Sequence, residues 1–209
     1  MPAVGLRADA RRNRDQLLVA ARDVFVEHGL DAPLEDIARR ARVGIATLYR
    51  RFPDRASLQR AVAIDVLRRI GAEASLALAE EPDAVAALAR YMHRALDARV
   101  AAVMPALGPS VVPLEDAEFL AARDAAVEPV QAMILRAQAC GALRPDVTFG
   151  DIGLLLIRLS RPLPSSFPAE IEQALAHRHL DIVLSGLRSK DAPLGGPALT
   201  LDDLRRQRP

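Results

Sequence analysis

Several things this chain lacks narrow what it can be. One cysteine, Cys140, leaves no partner for an intrachain disulfide and cannot build a cysteine-based zinc site, so a reducing interior is the natural compartment. Lysine occurs once, at Lys190, so nearly every positive group is a guanidinium, which forks onto phosphate oxygens better than an ammonium does. Long apolar runs are missing: the longest stretch of leucine and isoleucine is LLLI at 154–157, and the opening MPAVGLRADARRNRDQ has no apolar core of signal-peptide length. A cytoplasmic protein that does not enter a membrane is expected. No paired-carboxylate motif, nucleophile elbow or phosphate-binding loop occurs, so an enzyme is not expected and an all-helical enzyme remains a remote alternative. No cofactor and no metal are expected. The HRH at 177–179 has metal-binding side chains, but residues two apart on a helix face different ways and no cysteine assists.

What is present is a globular composition with a charge split. The 209 residues are 51% hydrophobic, enough to bury one or two compact cores. Residues 1–60 hold twelve arginines against eight acidic residues, net +4, while the remainder carries 16 basic and 19 acidic residues, net −3. The front of the chain is its basic part.

Helical periodicity runs through the chain and almost nothing reads as strand. From Asp9 to His28, Leu17, Ala21, Val24 and Phe25 draw one apolar stripe, and Gly29 followed by Leu30 ends that helix. Pro33 can start a second, with Glu35 and Asp36 in its first turn and Leu34, Ile37, Ala38 and Ala41 on one side. RVGI interrupts, and IATLYRRF resumes helical spacing with Ile45, Leu48 and Phe52 before Pro53 stops it. Asp54 is placed to cap a fourth helix, on which Leu58, Val62, Val66 and Ile70 recur every four residues.

Two short helices joined by a tight turn and braced by longer ones make a helix-turn-helix, expected at about 33–52 within a domain of residues 1–60. With Ile45, Leu48 and Phe52 turned into the small core, Gly44, Ala46, Thr47, Tyr49, Arg50 and Arg51 lie wholly or partly outside. Small residues at 44 and 46 let the helix end approach another surface. DNA suits the set, because its groove admits a helix, its phosphates accept from Thr, Tyr and Arg, and Arg can read its bases. Amides at the start of the next helix, near Arg55, would suit a further phosphate. Arg11, Arg12 and Arg14 are either an arm reaching DNA or a solvated charge run.

The stretch ARDVFVEHGLDAPLEDIARRARVGIATLYRRFPDRASLQRAV, above all TLYRRFPDR, resembles the DNA-binding signature of the TetR family of bacterial transcriptional regulators. The likeness is strong over residues 10–62 and only architectural beyond. It implies that Thr47 and Tyr49 contact phosphates, that Arg55 clamps the backbone, and that Ile45, Ala46 and Arg50 sit nearest the bases. Two positions depart from the pattern. Arg42 stands where the family commonly has glycine, so a left-handed backbone there would cost about 1 kcal/mol, and Gly44 replaces the usual serine cap at a cost of only a few tenths.

After about residue 80 comes a second, larger helical region, 61–188 in all. Helices are expected over about 82–103, from about Glu115 to Gly141 with Pro129 inside, from near Thr148, and over AEIEQALAHRHLDIVLSGLR; residues 189–209 read as a flexible tail. The last helix carries two apolar stripes, Ile171, Leu175 and Ile182, and Leu180, Val183, Leu184 and Leu187, more than one buried face needs. The resemblance implies that the last two helices pair with those of a second subunit, placing Leu155, Leu159, Ile171, Leu175, Leu180, Val183, Leu184 and Leu187 at a homodimer interface. It further implies a pocket for an unidentified small-molecule effector, for which Tyr91, Met92, Met104, Phe119, Met133 and Arg158 are candidates alongside a plain core role. The fold class is then all-α: an N-terminal three-helix DNA-binding domain and a larger helical ligand-binding and dimerisation domain. The function expected is a homodimeric repressor released from double-stranded operator DNA by a ligand, with an activator or a ligand-independent regulator as the alternative.

Overall fold

A computed structural model describes residues 3–98, 116–161, 167–188, 192–200 and 203; for residues 3–11 and 169 the description covers the backbone only. Among the described residues there are eight helices and no strand. They are α1 (Ala3–His28), α2 (Leu34–Arg40), α3 (Ile45–Arg51), α4 (Arg55–Glu80), α5 (Ala84–Asp97), α6 (Ala117–Ala139), α7 (Phe149–Leu159) and α8 (Ala169–Arg188). Two compact units divide the chain. One comprises Met1–Val66 with Ala102–Phe119, the other Leu67–Ala101 with Leu120–Pro209, so the division passes through α4.

In the first unit the apolar stripes read from the sequence converge. Leu17, Ala21, Val24 and Phe25 of α1, Leu34, Ile37 and Ala38 of α2, Leu48 of α3, Phe52, and Leu58 and Val62 of α4 are all buried. Local chemistry sets the corners. Gly29 ends α1 at φ +82°, and Arg42 ends α2 at φ +56°, the left-handed region that an L side chain adopts at a cost. The Val43 amide donates to Ala38 O at 3.0 Å and that of Arg42 to Arg39 O at 3.1 Å, the paired bonds that close a helix through a left-handed residue. Asp54 caps α4: its Oδ1 accepts from the Ser57 amide at 2.7 Å, and Ser57 Oγ accepts in return from the Asp54 amide at 3.3 Å. One turn on, Arg60 forks onto Asp116 and donates to Glu118 at 2.9 Å. The Arg60 guanidinium and the Phe119 amide hold the Asp116 carboxyl down at about 2. Lowered below its ordinary 3.8, Asp116 contributes to stability at neutral pH and loses that contribution as the pH falls through its folded value.

In the second unit, Asp83 caps α5 by accepting from the amides of Val85 and Ala86 at 2.8 and 2.7 Å. Thr148 and Asp151 form a reciprocal capping box at the start of α7. Pro129 lies inside α6, and Gly141 ends that helix at φ +70° with the same paired bonds that close α2. The expected helix over 82–103 is observed as Ala84–Asp97; residues 99–115 fall outside the described set. Residues 192–200 carry no helix, yet side chains on the α6–α7 connection reach them. Arg144, 8% exposed, forks onto Asp146 and donates to Ala192 O. Asp146 accepts from the Leu194 amide at 2.9 Å, and Thr148 Oγ1 donates to Leu199 O at 2.8 Å. Arg144 and that amide hold the Asp146 carboxyl well below the usual carboxylate range.

Candidate nucleic-acid interface

Helix α3 is seven residues long, too short to hold itself, and two buried side chains fix it to the unit: Leu48 with no exposure and Phe52 with 4%. Between and beside them the outward set is laid bare. Tyr49 is 46% exposed, Gly44, Ala46, Arg50 and Arg51 are exposed, and Thr47 is half-buried. Ile45 departs from the amphipathic reading that turned it inward. It is 36% exposed, because the first position of a short helix stands at the corner rather than over the core.

Gly44 is the N-cap, with extended backbone and no side-chain cap, and a Cβ built there meets nothing within 4 Å. The front of α3 is therefore open. Thr47 Oγ1 accepts from Arg50 Nη2 at 2.8 Å, a pairing that the i, i+3 spacing allows and that orients the guanidinium across the exposed face. Arg42 is exposed in the turn before α3.

Arg55 turns one guanidinium nitrogen inward. Its Nη1 donates inward to Leu30 O at 2.8 Å and Ala32 O at 2.7 Å, and the buried Gln59 donates to Leu30 O at 3.1 Å. Together they satisfy carbonyls left open where α1 turns into α2, so Arg55 braces that turn against the start of α4. The α4 amide at Ser57 is likewise taken by Asp54, which leaves it unavailable to a phosphate. The bonds of Arg55 and Gln59 have no signal in the local spacing, since they depend on how the α1–α2 turn folds back. Arg12 and Arg14 lie exposed on α1, which is helical throughout rather than preceded by a separate arm over residues 3–11.

The other candidate residues fall apart into distinct environments. In the second unit Met92 and Met133 have no exposure and Tyr91 has 6%, and burial pushes the Tyr91 phenol up to about 12. Arg158 is exposed on α7, Phe119 is buried in the first unit, and Met104 lies outside the described residues. The two stripes of α8 separate cleanly. Leu180, Leu184 and Leu187 are buried within the protomer, whereas Ile171 is 47% and Ile182 62% exposed, with Leu175 and Val183 half-buried. Leu155 and Leu159 of α7 are half-buried.

A short helix seated on a braced predecessor, with small residues, hydroxyls and guanidinium groups on its open side, defines a helix-turn-helix DNA-binding protein. The comparisons agree. The signature of bacterial regulatory proteins of the tetR family matches residues 17–62, and that of the SbtR-like transcriptional regulator C-terminal domain matches residues 82–189. The chain is 36% identical to the TetR transcriptional regulator SCO0520 from Streptomyces coelicolor, covering 85% of this chain and 99% of that one with a TM-score of 0.61. It is 33% identical to a TetR transcription regulatory protein from Mycobacterium vanbaalenii, covering 88% and 99% at a TM-score of 0.59. With LfrR from Mycobacterium smegmatis, solved in complex with proflavine, identity is 25% over 82% of this chain and 95% of that one, at a TM-score of 0.59. No curated protein matches. The chain belongs to the TetR family and is a DNA-binding transcriptional regulator, with a fold of regulators rather than of enzymes. Among the described residues no helix is long and apolar enough to cross a membrane.

Proposed function

We propose that the protein is a homodimeric, cytoplasmic repressor that blocks transcription by seating α3 in the major groove of an operator and leaves it when a small molecule binds. The observation that carries the DNA half is the open face of α3, where Tyr49, Arg50 and Arg51 stand clear of a helix anchored by Leu48. In this reading Thr47 and Tyr49 hold phosphates, Ile45, Ala46 and Arg50 sit nearest the bases, Arg42 and Arg51 add positive charge at the flanks, and Gly44 permits close approach. Arg55 braces the α1–α2 turn through Nη1, which donates to Leu30 O and Ala32 O, and clamps the DNA backbone with its remaining N–H groups.

The dimer half rests on the outer stripe of α8, Ile171, Leu175, Ile182 and Val183, extended by Leu155 and Leu159 of α7. An apolar stripe of that length on a helix already packed along its other side finds its cover in a second copy. The effector is proposed to be apolar or amphipathic and to displace core packing near Tyr91, Met92 and Met133, because methionine adapts to an inserted ligand. The proflavine complex of the LfrR neighbour supports a ligand-responsive reading of this architecture.

A gel shift of the unliganded protein against its own upstream DNA tests the reading. A retarded band that survives excess random DNA is expected, and its absence at physiological salt would remove the repressor proposal. A compound that raises the melting temperature should weaken the band in the same concentration range, since a ligand shifts a population only by preferring one state.

A further inference from the structure

The second unit holds a symmetric side-chain cluster that none of the roles above uses. Helices α5 and α8 each carry a histidine followed four residues later by an aspartate: His93 and Asp97, His177 and Asp181. The pairs cross between the helices. His177 Nε2 lies 3.0 Å from Asp97 Oδ1, His93 Nε2 lies 3.1 Å from Asp181 Oδ1, and the two Nδ1 atoms face each other at 2.7 Å. The rings are within 9° of parallel and their centroids 5.0 Å apart. That separation is as large as two nitrogens at 2.7 Å allow, so the rings lie end to end along the N···N line, as a hydrogen bond between them requires.

The hydrogens available to the three contacts decide what the cluster is. Three contacts run in series from Asp97 to Asp181, and each needs one hydrogen. Ionised carboxylates supply none, and two neutral imidazoles supply two between them. With both rings neutral, either two lone pairs meet at the centre or a bare nitrogen faces a carboxylate. With both rings cationic, two N–H groups collide at the centre. Only one added proton, shared between the rings, fills every contact. A bridging metal fits less well. Two ring nitrogens on one zinc ion, each about 2.0–2.1 Å from it in a tetrahedral arrangement, stand about 3.3 Å apart, wider than the 2.7 Å observed. Among the described residues no group of three or more metal-binding side chains assembles there.

We propose that His93 and His177 form a one-proton latch that ties α8 to α5, made on the acid side of neutrality and lost as the pH rises. Histidine is the side chain that changes charge in this range. The remaining neighbours fit the assignment. On α5, Arg94 stands 4.0 Å from Asp97, and on α8 Gln173 donates to Asp97 at 3.1 Å, which orient that carboxylate. From α7, which also packs on both helices, Asp151 is engaged with Thr148 and Arg158 is exposed. His179 points to the exposed side of α8. Above about pH 6.5 two unfolded histidines hold fewer than one proton between them, whereas the latched fold holds one, so stability should fall as pH rises beyond that point. The latch lies within one protomer and stands or falls apart from the dimer and operator readings.

The test compares the full chain with His93→Gln, His177→Gln and the double variant, each shown to be helical by circular dichroism. The wild type should lose a few degrees of melting temperature between about pH 6.5 and pH 8.5, and the variants should lose much less. Each single variant should remove the whole effect, so that the double adds little beyond either one. In protein with labelled histidine, one low-field proton coupled to nitrogens of both rings should appear at the acid end and vanish in either variant. Equal pH slopes in wild type and variants, strictly additive losses, or no shared-proton signal would each overturn the proposal. So would zinc alone stabilising the wild type at neutral pH but not the variants, which would make the bridge a metal.

Discussion

Helices α3 and α8 both leave apolar side chains in water, and what surrounds those side chains differs. On α3, Ile45 and Tyr49 are interleaved with Thr47, Arg50 and Arg51 along seven residues. On α8, Ile171 and Ile182 head a stripe that runs most of twenty residues, while the opposite face is sealed into the protomer by Leu180, Leu184 and Leu187. Exposed apolar area alone therefore names no partner; its polar neighbours and its length do. Short and basic suits a phosphate-lined groove, whereas long and apolar suits another helix.

The largest expected effect breaks α8 from within. Leu180→Asp would bury an unpaired charge at a position with no exposure and should cost on the order of 4 kcal/mol, seen as a fall in melting temperature of about 10 °C. Ile182→Glu, two residues along and 62% exposed, should leave the protomer folded and yield monomers by sedimentation. If both variants unfold alike, the division of α8 into inner and outer faces is wrong.

Next comes the proposed reader, α3. Arg50→Ala should weaken operator binding by about 1–3 kcal/mol and change binding to random DNA much less, as measured by fluorescence anisotropy. Tyr49→Phe keeps the ring and loses one hydroxyl, so a loss of about 1 kcal/mol, similar on both DNAs, is expected. A folded Arg50→Ala variant with wild-type affinity for the operator would remove α3 as the reader.

The smallest effect concerns the turn that presents α3. The same backbone closure ends α2 at Arg42 and α6 at Gly141. Arg42→Gly would relieve the left-handed strain and add chain entropy to the unfolded state, two terms of about 1 kcal/mol each. The melting temperature should therefore move by no more than a few degrees, with any loss in DNA affinity traceable to the missing charge.

Most of the first unit was legible because its signals are local. Gly29, Asp54, Pro53 and the positive-φ expectation at Arg42 each act within a few residues, and the structure places each as the spacing implies. Thr148 and Gly141 read equally well in the second unit. What escaped was set by partners distant in sequence. The inward turn of Arg55 has no local signal, because its acceptors lie 23 and 25 residues away. In the sequence His177 stands beside His179, while its neighbour in space, His93, is 84 residues distant. The double stripe of α8 announces surplus apolar surface, but only burial says which side is the surplus.

The extended segment beyond α8 approaches α7 so closely at one point that the two share a fate. A methyl group placed on Gly150 would sit 2.0 Å from Leu199 O and 2.9 Å from Leu199 C, both backbone atoms that no rotamer change can move aside. Any larger residue at 150 must therefore evict the segment held there by Thr148. The two sites should behave as a genetic pair: Gly150→Ala should harm the whole chain and become nearly silent once the chain is cut short after Arg188. The C-terminal stretch is in that sense a removable strap whose seat is an absent side chain.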